Sequence, residues 1–179
     1  MDNMDEALRK RAAKIRMLVL DVDGVLTDGK LYFDDHGNEL KAFNARDGLG
    51  MKCLQHCGIE VAIITGRKCA AVTHRMNQLD VKHVYQGEVK KLEAFLELLE
   101  LTGLDAQQVC FAGDDWIDLS VLSRVGLAVT VANGEARAKQ QAHWITENKG
   151  GDGAVREICN LILEAQDQQQ AVVDEIQAL

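Results

Sequence analysis

The sequence predicts an α/β protein: a doubly wound, Rossmann-like parallel sheet with a β-hairpin inserted after its first strand. Three observations carry this expectation. Short stretches such as Met17–Leu20, 61–64 and Val109–Ala112 are apolar at every position. Such strands are covered on both faces, as in a parallel sheet. Amphipathic segments with helical spacing lie between them, and that alternation builds a sheet flanked by helices. One polar cluster, Asp34-Asp35-His36-Gly37-Asn38, breaks the rhythm between two β-prone ends.

The elements follow in order. Residues 5–14 read as an N-terminal helix and Met17–Leu20 as the first buried strand. Residues 30–43, KLYFDDHGNELKAF, read as the hairpin, which is too short to form a lid over a site. Asp47 is a candidate cap for a helix reaching about Cys57, with Gly58 closing it. Residues 61–64 are the next strand, 67–79 the next helix and 81–85 a weaker strand. The helix over 88–101 places Leu92, Phe95, Leu96 and Leu99 on one face and stops at Gly103. Val109–Ala112 precedes a helical stretch over 116–125 that ends at Gly126. Residues 127–131 and 144–146 complete the strands, and a last helix follows the glycine-rich run 150–153. The tail from Gln166 is polar and peripheral, with the composition of a frayed helix. The chain has no proline, so Gly, Asp and Asn set its element ends. We expect one domain over 1–179, with the hairpin at about 30–43 and the tail at about 166–179.

Composition narrows the function. The chain has 179 residues, 47% hydrophobic and 27% charged, an ordinary globular balance. A net charge of −8 argues against nucleic-acid binding, which needs a basic surface. It also means that an anionic substrate requires local positive charge. There is no apolar stretch of signal-peptide kind before the first strand, and no run of about 18 apolar residues to span a membrane. Five cysteines, an odd count without C-x-x-C, point to reduced thiols in a cytoplasmic protein. Cys53, His56 and Cys57 share a helix, but no second pair at zinc spacing exists, so core packing is the better reading.

Four motifs carry chemistry. Asp21-Val22-Asp23-Gly24 places two carboxylates at the end of a buried strand, where open α/β sheets bind ligands. Alternation along an extended chain lets both face one crevice. Two close carboxylates repel unless a proton or cation intervenes, and a hard divalent cation such as Mg2+ suits oxygen ligands. Against this stands the plainer reading of Asp as a turn residue. Thr65-Gly66-Arg67 offers a hydroxyl, a backbone N–H and a guanidinium at another strand end, which suits an anion or simply caps a helix. Lys91 lies near a helix N-terminus, where a cation opposes the dipole unless an anion faces it; a solvated surface lysine is the alternative. Gly113-Asp114-Asp115, with Asp118 one turn on, supplies either a metal ligand or helix caps.

In this order the four motifs resemble the haloacid dehalogenase superfamily over about 17–131. The resemblance implies that Asp21 attacks phosphorus and that Asp23 serves as general acid and base. It implies that Thr65 and Lys91 hold phosphoryl oxygens, and that Asp21, the Asp23 backbone carbonyl and Asp114 bind Mg2+. An acid at position 23 favours a phosphatase over a dehalogenase, because an alkoxide needs a proton and a halide does not. The run Asp23–Gly29, the hairpin, Asn44-Ala45-Arg46-Asp47-Gly48-Leu49-Gly50 and the stretch 150–157 further resemble the 3-deoxy-D-manno-octulosonate 8-phosphate phosphatase family, over about 13–165. That likeness implies a homotetramer in which hairpins pack together and a neighbouring subunit covers each site. It makes Arg46, Asp47, Gly48, Gly66 and Arg67 candidates for substrate contact, beside Thr65 and Lys91. It also implies a mobile glycine-rich segment near the site. Asp152 departs from the family pattern, which has Arg there. Two alternatives stand beside this reading: a phosphatase for another sugar phosphate, such as a nine-carbon keto-sugar phosphate, and a non-catalytic oligomeric binding module.

Overall fold

The computed structural model describes residues 5–178. Its elements in chain order are α1 (Glu6–Ala12), β1 (Met17–Leu20), β2 (Tyr32–Phe33), β3 (Glu39–Leu40), α2 (Ala45–His56), β4 (Glu60–Thr65), α3 (Ala70–Gln78), β5 (His83–Gln86) and α4 (Lys91–Thr102). There follow β6 (Val109–Ala112), α5 (Leu119–Leu122), β7 (Leu127–Thr130), α6 (Ala136–Gln141), β8 (Trp144–Ile145), α7 (Ala154–Ala165) and α8 (Gln169–Gln177). Short 3-10 turns, Ala106–Gln108 and Trp116–Asp118, precede β6 and α5.

Six strands form one sheet in the order β5-β4-β1-β6-β7-β8, and every pairing is parallel. β2 and β3 form a separate antiparallel hairpin. Both faces of the sheet are covered, as the unbroken apolar strands require. Alternate residues of β1 serve opposite faces. Leu18 and Leu20 join Met51 and Leu54 of α2, Val72 and Met76 of α3 and Ile158 and Ile162 of α7. Met17 and Val19 join Phe95 and Leu98 of α4, Val121 and Leu122 of α5 and Ala138 of α6. No helix among the described residues is long and apolar enough to cross a membrane.

Several helix ends differ from the sequence expectation. Asn44, not Asp47, caps α2: its side chain accepts from the Arg46 N–H. Asp47 is inside the first turn and buried, and it accepts instead from the Arg156 N–H of α7 at 2.8 Å. Sequence spacing reveals a capping side chain, but not which of two helices it caps. α3 starts three residues later than expected, because Cys69 is extended and its N–H bonds the Gln86 side chain at 2.9 Å. α4 starts at Lys91, not at residue 88, and ends at Gly103, whose φ of 70° matches the expected glycine stop. The stretch 116–125 is a 3-10 turn followed by the short α5, a break that its apolar spacing does not reveal. The polar tail does form a helix, α8, seated through the buried Val172.

Candidate active site

Strand order reverses at β1, which has β4 on one side and β6 on the other. At such a switch point the loops leaving neighbouring strands diverge and open a crevice at the strands' C-terminal ends. Asp21 follows β1 directly, and its N–H bonds the Ala112 carbonyl at 3.0 Å, so the ladder itself holds it. Thr65 closes β4 and is buried. Asp114 lies two residues past β6. Residues far apart in sequence thus converge because three parallel strands end together.

Lys91 is at the centre of this crevice. Its side chain is 0% exposed, and its ammonium lies 2.8 Å from Asp21 Oδ1 and 2.6 Å from Asp118 Oδ1. Desolvating an ammonium costs several kcal/mol, which two close carboxylates offset. The solvated-lysine reading is therefore overturned, and the fixed anion that the helix dipole called for is Asp118. Burial alone would push the Lys91 ammonium towards its neutral form, but the flanking Asp21 and Asp118 carry its pKa above the usual lysine value. Asp118 also organises the loop after β6, since its Oδ2 accepts the N–H groups of Asp114 at 2.9 Å and Asp115 at 3.1 Å. Gly113 makes room for it, because a Cβ there would lie 2.4 Å from the Asp118 carboxyl carbon.

Asp21, Asp114 and Asp118 offer carboxylate oxygens within 4.8 Å of one another. Three carboxylates against one ammonium leave two negative charges in a crevice largely closed to water. The strain is visible in the acids. Burial, with Asp118 adding to it against Lys91, pushes Asp21 up to about 6. Burial, with Asp21 and Asp118 adding to it, pushes Asp114 up to about 7. Asp114 Oδ1 is buried without a hydrogen-bond partner. Gly24, at φ +92°, lets the loop after β1 pass so close that a Cβ there would lie 2.1 Å from Asp114 Oδ2. An orphaned buried oxygen and two surplus negative charges fit a hard divalent cation held by carboxylates.

Asp23 faces the same end of the sheet, but its partners come from the hairpin. Its Oδ1 accepts from Lys41 Nζ, and its buried Oδ2 has no hydrogen-bond partner. Lys41 also lies 2.9 Å from Glu39 Oε1, and Glu39 Oε2 accepts from Arg67 Nη2 at 3.0 Å. Arg67 Nε is 3.9 Å from Asp23 Oδ2, which closes a ring of four charges. Sequence reasoning missed Lys41, Glu39 and the pairing role of Asp118. For the first two, the only available signal was charge inside an otherwise β-prone hairpin.

The other candidates divide. Gly66 adjoins the crevice, with a Cβ position 3.3 Å from Ile117. Arg46 is exposed and lies 3.7 Å from Asp152. Asp47 Oδ1 accepts from the Arg156 N–H of α7 while its buried Oδ2 has no hydrogen-bond partner, and Gly48 packs so closely on α3 that a Cβ would meet the Arg75 guanidinium at 2.3 Å. The glycine-rich run 150–153 lies against the loop after β1. There the Gly151 N–H bonds the Val25 carbonyl at 3.0 Å and the Gly150 N–H bonds Asn133 Oδ1 at 2.9 Å. A cavity of about 620 Å³ lined by Leu49, Cys53, Ile59, Val172 and Ile176 opens by the start of β4, the end of the sheet away from the acids.

Known proteins share this fold. The family model for haloacid dehalogenase-like hydrolases matches residues 82–158. The 3-deoxy-D-manno-octulosonate 8-phosphate phosphatase of Yersinia pestis is 51% identical over 158 residues, covering 88% of this chain and 84% of the relative. The crystal structure of a Yersinia pestis phosphatase of that name superposes with a TM-score of 0.91 at 48% identity, over 92% of this chain and 89% of that one. The Moraxella catarrhalis enzyme, solved in complex with magnesium ion, phosphate ion and KDO molecule, gives a TM-score of 0.94 at 38% identity, over 97% and 99% of the two chains. A six-stranded parallel sheet with these acids at its switch point, and half-identical relatives across most of its length, establish that the chain belongs to the 3-deoxy-D-manno-octulosonate 8-phosphate phosphatase family of haloacid dehalogenase-like hydrolases.

Proposed function

We infer that this protein hydrolyses 3-deoxy-D-manno-octulosonate 8-phosphate to the free keto-sugar acid and inorganic phosphate, with Mg2+ as cofactor, in lipopolysaccharide sugar synthesis. The observation that carries the reading is Lys91, fully buried between Asp21 and Asp118 at the sheet's switch point. A lysine fixed between acids at a strand-end crevice supplies preorganised positive charge for a dianionic phosphoryl group beside a carboxylate nucleophile.

The roles follow from position. An Asp21 carboxylate oxygen attacks phosphorus, the bond from phosphorus to the sugar oxygen breaks, and its electron pair leaves with that oxygen. Asp23 gives that oxygen a proton, and its Oδ2, which makes no hydrogen bond, is the atom placed to do so. Water then attacks the phosphoryl group on Asp21 and passes a proton to Asp23, and the Asp21–phosphorus bond breaks to release phosphate. Thr65, the Gly66 N–H and Lys91 hold phosphoryl oxygens, and Arg67 and Arg46 face the sugar acid. Asp21, the Asp23 carbonyl and Asp114 hold the metal, and Asp118 fixes Asp114 through its backbone. When bound, the cation supplies positive charge to the phosphoryl oxygens and relieves the repulsion among the acids.

We read the chain as one catalytic domain with the hairpin as its insertion. Tyr32, Phe33 and Leu40 of the hairpin are all exposed, which supports a homotetramer built on hairpin contacts, with a neighbour covering each site. A cytoplasmic location accords with five cysteines free of disulfides. Phosphate release should be measured from eight-carbon and nine-carbon keto-sugar phosphates, with Mg2+ and with a chelator. A clear preference for the eight-carbon ester and dependence on Mg2+ are expected; equal or reversed preference would overturn the substrate assignment.

A further inference from the structure

We propose that Lys41, on the hairpin, is a positioning residue for Asp23: it ties one carboxylate oxygen down so that the other points at the leaving group. Its Nζ holds Asp23 Oδ1, while Asp23 Oδ2 is buried and free of hydrogen bonds, with Arg67 Nε 3.9 Å away. A carboxylate gripped on one oxygen cannot rotate freely, so the proton-carrying oxygen keeps its aim.

The grip is itself braced. The Lys41 side chain is only 2% exposed, so its charge is withdrawn from water and committed to its partners. Glu39 lies 2.9 Å from the same ammonium and accepts from Arg67 at 3.0 Å. Glu39 and Lys41 come from the hairpin, Asp23 from the loop after β1 and Arg67 from the loop after β4. With Asp23 ionised the ring carries two positive and two negative charges. It gives the hairpin a part in the chemistry of each subunit, apart from any part in assembly.

This inference rests on the reading of Asp23 as the acid that protonates the leaving oxygen, and the test separates the two. An alkyl sugar phosphate needs that proton, whereas p-nitrophenyl phosphate releases p-nitrophenolate, a stable anion, and needs it far less. kcat/KM reports the transfer to Asp21 alone, up to the first irreversible step. Lys41→Met should lower kcat/KM for 3-deoxy-D-manno-octulosonate 8-phosphate by about 100-fold, within the range of a general acid. The loss with p-nitrophenyl phosphate should be at least tenfold smaller. Lys41→Arg should restore part of the sugar-phosphate rate. Asp23→Asn should show the same selectivity, and the double variant should lose little more than Asp23→Asn alone. Circular dichroism and thermal melts verify folding. If Lys41→Met does not fold, Glu39→Gln, which removes the brace and leaves the lysine, should show the same leaving-group selectivity at smaller size.

Equal losses on both substrates, or none, would make Lys41 a structural or phosphate-binding residue and overturn the proposal, provided Asp23→Asn remains selective. If Asp23→Asn itself shows no leaving-group selectivity, the acid role of Asp23 fails, and the role of Lys41 fails with it.

Discussion

The strand-end cluster and the hairpin meet at one crevice but are built on opposite principles. Asp21, Lys91 and Asp118 are buried, and each is held by a strand, a helix or a backbone bond. The hairpin has two-residue strands and shows Phe33 and Leu40 to solvent at 58% and 56% exposure. A two-stranded hairpin has little stability of its own in water, so it needs partners. Its charged face finds them in Asp23 and Arg67, while Phe33 and Leu40 stay open to solvent. The contrast teaches a division of labour: reactive groups sit where the core fixes them, and the insertion adapts the site's rim.

The contrast can be broken at its strongest point. Asp21→Asn should reduce phosphate release by about 10⁴-fold or more, since a nucleophile's loss removes the reaction path. The variant should fold as well as the parent or better, because it removes one of three crowded acids. Activity within tenfold of the parent, in a stopped phosphate assay, would remove the strand end from the chemistry. Lys91→Met should cost about 3–5 kcal/mol of stability, because it leaves two carboxylates buried without their counter-charge. Urea denaturation measures this, and a cost below about 1 kcal/mol would mean that water or a bound cation already screens the acids.

Metal removal tests the cluster more gently. Asp21 at about 6 and Asp114 at about 7 have pKa values raised above those of an unfolded chain. Their stabilising protons are in place at low pH and are lost as pH rises through 6 to 7. The chelated protein should therefore melt lower at pH 8 than at pH 5.5, by roughly 2–4 °C for each kcal/mol. Mg2+ should raise the melting temperature more at pH 8, where both acids are ionised. Protection by Mg2+ that is equal at the two pH values would mean that these acids do not bind it. The smallest folding effect belongs to the hairpin: Phe33→Ser with Leu40→Ser should change chain stability by less than about 1 kcal/mol, as surface changes do. If hairpins build the proposed tetramer, sedimentation should nevertheless show the double variant at lower mass than the parent, and an unchanged mass would overturn hairpin-mediated assembly.

Much of this was legible in the residues. The buried strands show as unbroken apolar runs, and Asp21, Thr65 and Asp114 stand at or just past the ends of three of them, so their convergence followed from the fold class. Two signals misled. Asp47 looks like a cap for its own helix but serves α7, because a carboxylate can reach any N-terminus that packing brings near. Lys41 and Glu39 look like surface charges on a turn-rich insertion.

By itself the sequence determined the parallel sheet, the hairpin's place after the first strand, and which acids stand at strand ends. These depend on local pattern, the period of apolar residues and the chemistry of turns, which a chain carries wherever it folds. Only the tertiary structure decided how the charges pair: Lys91 with Asp21 and Asp118, and Lys41 with Asp23 and Glu39. Pairing depends on distance and exclusion of water, and both arise when elements remote in sequence pack together.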